Sequence, residues 1–239
     1  MTQPAMPNPA STVVLVWPDQ GDGFKIFMNR RPEKMATYAG IYVFPGGRVE
    51  DDDWSEKMLG FTRGLSPAEA QQVLGCTQQA QLCLGYWVAA VRELFEEAGI
   101  HFFVDGNEES SLPAQARLTG RLDDKRKALQ EGELAFPSFL ESERLHCDLS
   151  HLTYFFHRVT PEHYAVRFDT RFYLAALPSG QRPLDSSEEV AESLWIAPKE
   201  ALGRSQSGGF PMMPPTLAVL RTLAEHRSWQ ELQDRYRLG

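Results

Sequence analysis

The chain of 239 residues carries 24 Lys and Arg against 32 Asp and Glu, a formal net charge of −8, and 42% of it is hydrophobic. That length suits one large domain, or one domain with a sizeable insert, and the apolar share permits a packed core. The acidic balance argues against broad contact with nucleic acid or an anionic membrane, though not against a phosphate ligand that arrives with metal ions.

Three cysteines, Cys76, Cys83 and Cys147, are odd in number and form no C-x-x-C. Neither a disulfide framework nor a zinc knuckle is expected, and free thiols in a reducing compartment are. The longest apolar run, "LCLGYWVAAV", falls short of the roughly 20 residues of a membrane span. "MTQPAMPNPAS" lacks the pattern of a secretory signal. The expectation is a cytoplasmic protein with a disordered lead-in over 1–10 and a single domain over 11–239.

Along the chain, "TVVLVW" (Thr12–Trp17) and "FKIFMNR" (Phe24–Arg30) are β-branched and aromatic runs around the turn signal "PDQGDG". They read as neighbouring strands. "IYVFPGG" is a short strand running into a turn. "SPAEAQQVLG" opens with a capping box, Ser66 at the N-cap and Glu69 three residues on, with Pro67 in the first turn and Gly75 ending the helix. A longer helix is expected from about Gln78 to Ala98, closed by Gly99. "IHFFVD" looks like a strand. The stretch from about Gly106 to Cys147 is charged and helical in pattern, with breaks at Pro113 and Pro137. "LTYFFHRVT" and "TRFYLAALP" are strands, "LDSSEEVAES" an acidic loop, "LWIAPKEAL" a strand entering a helix, and Thr216–Arg237 helical. Mixed elements at this spacing predict a layered α/β or α+β domain.

"VRELFEEAGI" (Val91–Ile100) stands out. Trp87, Val91, Leu94, Phe95 and Ala98 make one apolar stripe at helical spacing. Glu93, Glu96 and Glu97 lie opposite, at the helix end where negative charge is least welcome. Arg92 precedes Glu96 by four residues and can pair with it. A solvated acidic face is one reading. A divalent cation shared by the carboxylates is the other, since Mg²⁺ favours a few carboxylates together with phosphate oxygens.

"RELFEEAGI" resembles the second half of the Nudix hydrolase signature. "GRVEDDD" resembles the first, with Gly47 as its glycine and Asp53 at a position usually Glu. The family pattern usually has seven residues between that acid and the arginine, whereas here residues 54 to 91, 38 of them, intervene. A loop can lengthen so far because closure costs only about 0.6 kcal/mol per doubling.

The resemblance implies an α/β/α sandwich around a mixed sheet, with helical inserts at about 54–80 and 106–147. It implies Mg²⁺ or Mn²⁺ on Glu93, Glu96, Glu97 and the Gly47 carbonyl, Arg92 orienting the carboxylates, and Glu93 as general base. Glu50 is either a further acid beside the metal or a surface turn residue. "NRRPEKMATYAGIYVFPGG" and "RVTPEHYAVRFDTRFYLAALP" resemble the coenzyme A-cleaving branch. Arg31 matches an arginine of that branch, and a second falls on Ala36, with Lys34 nearby. Arg48, Arg167 and Arg171 complete the expected substrate contacts. Arg167, Asp169 and Arg171 read equally well as a strand-edge ion pair.

The function so implied is cleavage of the diphosphate of a nucleoside diphosphate derivative, coenzyme A or an acyl-CoA first. The alternatives are an ADP-ribose or NADH pyrophosphatase and a non-catalytic nucleotide sensor. The partner is a small molecule, with no nucleic acid and no membrane, and a homodimer is in keeping with the family.

Overall fold

The structure, a computed structural model, describes residues 5–18, 23–35, 38–106, 122–185 and 190–238. Most of the turn "PDQGDG", Ala36, the Pro113 break and residues 186–189 of the acidic loop lie outside these.

The main sheet runs β10 (Glu192–Ile196), β2 (Phe24–Arg30), β1 (Asn8–Pro18), β9 (Phe168–Ala176), β8 (Thr153–Val159). Short strands β3 (Tyr42–Val43) and β4 (Gly46–Arg48) add to β2 and β1. β1 lies parallel to β9 and antiparallel to β2, so the sheet is mixed, as expected. Period-two alternation sorts its side chains between two cores. Val13 and Leu15 of β1, Phe27 of β2 and Tyr173 and Ala175 of β9 face one side. Val14 and Val16, Ile26 and Met28, and Phe172 and Leu174 face the other.

Helix α3 (Ala80–Ala98) fills the first side, and α6 (Pro198–Gln206), α7 (Pro214–Ala224) and α8 (Trp229–Tyr236) cover the second. The layers are helix, sheet, helix, and the molecule is the expected mixed sandwich. Among the described residues no helix is long and apolar enough to cross a membrane.

The strand expected at Thr12 begins at Asn8, inside the supposed lead-in. Asn8 donates its backbone N–H to the Arg167 carbonyl, and the pairing with β9 starts there. Pro9 in this stretch masks a strand in sequence, because proline cannot donate to a ladder.

A 3₁₀ turn (Asp51–Trp54) leads into the first insert, which contains α1 (Glu56–Leu59), β5 (Thr62–Arg63) and α2 (Pro67–Leu74). The capping box holds: Ser66 accepts from the Glu69 N–H, and Glu69 accepts from that of Ser66. Gly75 ends α2 in the left-handed conformation, φ 59°, where a side chain would be strained.

The second insert is only partly helical. Helices α4 (Asp123–Gln130) and α5 (Phe136–Glu143) lead into strand β7 (Leu145–Asp148), which pairs with β5 and with β6 (Phe103–Asp105) in a second, three-stranded sheet. The two inserts therefore meet each other.

Candidate active site

The whole predicted stripe of α3 is buried, and the helix is buried nearly all round from Cys83 to Arg92. Leu94 is fully buried, so Leu94→Ala would cost about 2–5 kcal/mol. Trp87 donates its indole N–H to the Leu152 carbonyl, 3.3 Å away, which fixes the rotation of the helix. That rotation leaves Glu93, Glu96 and Glu97 half-buried against the turn after β3. Gly99, at φ 68°, closes the helix by returning its N–H to the Phe95 carbonyl.

Arg92 is the hub of the site. Its Nε and Nη2 give two bonds of 2.9 Å to the carboxylate of Asp53, whose side chain is wholly buried. Nη2 also donates to the Arg48 carbonyl at 2.8 Å, and Nη1 to Glu93 at 2.9 Å and Glu96 at 3.1 Å. All five guanidinium N–H groups are thereby used. Burial works against the arginine's charge, but Asp53 and then Glu93 and Glu96 hold it protonated above its ordinary range. Burial, helped by the charges of Glu93 and Asp53 and opposed by Arg92, pushes Glu96 up to about 7.

Asp53, just before the first insert, thus anchors the arginine. The Glu50 N–H supports it with a 2.8 Å bond. Glu50 itself is exposed beside the 3₁₀ turn. The expected Arg92–Glu96 pair is present.

The glycines bring the backbone to the acids. A Cβ on Gly47 would fall within the Glu93 carboxylate, and one on Gly46 would collide with the Ser11 carbonyl of β1. The Gly46 N–H donates to Glu97 at 3.2 Å. Gly47 and the three glutamates therefore share one corner. Among the described residues no three acidic, His or Cys side chains converge on a single point. Glu93 and Glu96 turn to Arg92, and Glu97 to the Gly46 amide. Hard oxygen donors crowded around one guanidinium fit a small divalent cation by charge and donor type.

The expected substrate contacts divide. Arg31 is half-buried in the loop after β2, with a buried Nε that has no hydrogen-bond partner, and Lys34 is exposed beside it. Arg48 is exposed, its guanidinium 5.8 Å from the Phe168 ring. Arg167 is bonded to the carbonyls of Thr160 at 2.9 Å and Ala5 at 2.7 Å. Arg171 is buried, paired with Asp169 and 5.0 Å from the Tyr86 ring.

Arg126 belongs to no motif in the sequence. Nearly buried on α4, it donates to the Glu96 carbonyl at 2.9 Å, placing a cation at the negative end of α3. Only a charged helical pattern marked it, and that pattern names no partner. A cleft of about 550 Å³ lies beside the second insert, with Asp51, Asp52, Arg92 and Glu96 on one wall and Leu129, Leu134 and Phe136 on the other.

Comparison with known proteins places the chain among relatives. An acyl-coenzyme A diphosphatase NUDT19 from Gallus gallus is 28% identical over 87% of this chain and 63% of its own. One from Xenopus laevis is 23% identical over 87% and 62%. A putative nudix hydrolase 7 from Caenorhabditis elegans is 24% identical over 89% and 59%. The chain thus spans about three-fifths of the length of these curated relatives. A crystal structure of a NUDIX hydrolase from Alicyclobacillus acidocaldarius superposes with a TM-score of 0.76 at 27% identity, covering 98% of this chain and 99% of that one. The model of the NUDT19 Nudix domain matches residues 5–223, across the sheet, both inserts and the Arg92 hub, and the chain belongs to that family.

Proposed function

We propose that the chain hydrolyses the diphosphate linkage of a nucleoside diphosphate derivative, with coenzyme A or an acyl-CoA as the substrate class. The observation that carries this reading is the corner formed by Gly46, Gly47, Glu93, Glu96 and Glu97 around a fully engaged Arg92. The curated relatives named acyl-coenzyme A diphosphatases support the substrate class.

Glu93, Glu96, Glu97 and the Gly47 carbonyl would hold Mg²⁺ or Mn²⁺. Such an ion neutralises diphosphate charge and lowers the pKa of bound water. The chain's own groups do the rest. Glu93 accepts the proton of the attacking water. Arg92 fixes Glu93 and Glu96 in orientation, and Asp53 fixes Arg92. Arg31, Lys34 and Arg48 meet the anionic substrate. Arg167 and Arg171, engaged with backbone carbonyls and Asp169, support β1 and β9 instead.

The test is a panel of coenzyme A, acyl-CoA, ADP-ribose and NADH with each metal, products being identified by mass. Glu97→Gln is expected to lose about 10²–10⁴ of turnover, the scale of one positioned acid–base or metal group. Equal activity in the variant would defeat the metal role. Faster turnover of ADP-ribose or NADH would replace the substrate class. Tight binding with no product would make the chain a sensor.

A further inference from the structure

No spacing of the three cysteines suggests a pair, but the fold brings two together. Cys76 lies in the non-helical link between α2 and α3, and Cys83 in the first turn of α3. Their sulfurs stand 2.6 Å apart, while Cys147 is buried among other residues of the core. The two thiols differ in access. Cys76 is half-buried, between exposed Gly75 and Thr77. Cys83 is fully buried.

Around them, Tyr86 sits one turn further along α3, with buried Arg171 against its ring. Burial, then the hydrogen bond and charge of Cys76, push the Cys83 thiol up to about 12, opposed by the guanidinium of Arg171. Cys83 is therefore a poor first nucleophile, because the thiolate is the reactive form. Cys76 is the thiol an oxidant reaches.

We propose that Cys76 and Cys83 are an oxidative modification site, in which a peroxide converts the pair to an intrachain disulfide that clips α2 to the start of α3. The Cys76 thiolate attacks a peroxide oxygen. The O–O bond breaks, leaving a sulfenic acid on Cys76 and a hydroxide that becomes water. The Cys83 sulfur then attacks the Cys76 sulfur, and the S–O bond breaks. The departing hydroxide takes the Cys83 proton and leaves as a second water. Two thiols lose two electrons and two protons, and one peroxide becomes two waters. The glutamates of the candidate site begin ten residues beyond Cys83, about 15 Å along the helix, so the clip acts on the insert rather than on the chemistry.

The experiment treats the full chain with hydrogen peroxide, blocks free thiols and maps peptides without reduction. The expected product is one Cys76–Cys83 cross-link, two hydrogens lighter and reversed by dithiothreitol. It should form about tenfold faster in the folded chain than in urea, because the fold holds the sulfurs together. Tm should rise by about 5 °C, as for a short closed loop in a domain of this size. Cys147→Ser should keep the cross-link. Cys83→Ser should abolish it and leave a sulfenic acid on Cys76 that dimedone captures. A bond to Cys147 or between two chains, equal rates in folded and unfolded protein, or Cys76 oxidised to sulfinic acid beside a free Cys83 would overturn the proposal.

Discussion

Arg92 and Arg171 are both buried bases with an aspartate at hand, yet they sit in opposite kinds of surroundings. The Arg92 side chain is 10% exposed and its Asp53 partner 0%, and its N–H groups reach acids and backbone from three segments of chain. The Arg171 side chain is 6% exposed, but Asp169 is 16% exposed and shared with His157, and the Arg171 Nε has no hydrogen-bond partner. His101 extends the series. It is 6% exposed, its Nδ1 has no hydrogen-bond partner, and burial pushes it down to about 4. A buried base keeps its charge in proportion to the anions that surround it. Where many segments supply those anions, the base also organises the fold.

Substitutions can break this ranking. The largest effect is expected for Arg92→Met, which leaves Asp53 buried without its cation and costs about 3–5 kcal/mol. Chemical denaturation would measure it, and hydrolysis of the substrate panel should be lost with it. Adding Asp53→Leu should restore part of the stability, because an apolar pair needs no desolvation, but none of the turnover.

His101 comes next, through pH. Its folded pKa lies below its unfolded value of about 6.5, so the unfolded chain binds the extra proton. Its contribution is fully present above pH ~6.5 and is lost as pH falls toward about 4. Between pH ~7.5 and ~4.5 the loss is about 2–3 kcal/mol. The wild-type denaturation curve should weaken by that much more than the curve of His101→Phe. Parallel curves would show that His101 already titrates normally.

Arg171→Met is expected to cost only about 1–2 kcal/mol, since Asp169 keeps His157 and part of its solvent. Turnover should stay within about threefold, because the guanidinium meets Asp169 and the Tyr86 ring. A loss as deep as that of Arg92→Met would erase the contrast between the two arginines. The smallest effect belongs to Arg126→Met, about 1 kcal/mol for the bonds to the Glu96 carbonyl and the Gln130 side chain. A fall in kcat larger than the fall in stability would show that α4 also positions Glu96.

Much of the candidate site was legible because it is local. Ser66 with Glu69, Gly99, the Trp87–Ala98 stripe and the glutamates beside Arg92 are all set by spacings of a few residues along one helix. The anchoring role of Asp53 was not legible. It lies 39 positions from Arg92, and its place depends on the insert returning to its starting point. Strand β7 was hidden for a similar reason. Its four residues, "LHCD", acquire meaning only between β5 and β6, which come from different stretches of the chain. The Arg171–Asp169 pair matches one of the two readings of "RFDTRF", whereas the Thr160 and Ala5 carbonyls that Arg167 meets are seen only in the fold.

The Asp53–Arg92 pair also closes the first insert. Both feet of that excursion are gripped by one guanidinium, in the way a clasp holds a loop of cord. Whatever length or sequence the loop takes, its ends leave and rejoin the domain at the same place. Exposed residues of the insert, such as Gln72 and Val73 of α2, can therefore vary while Glu93, Glu96 and Glu97 keep their positions.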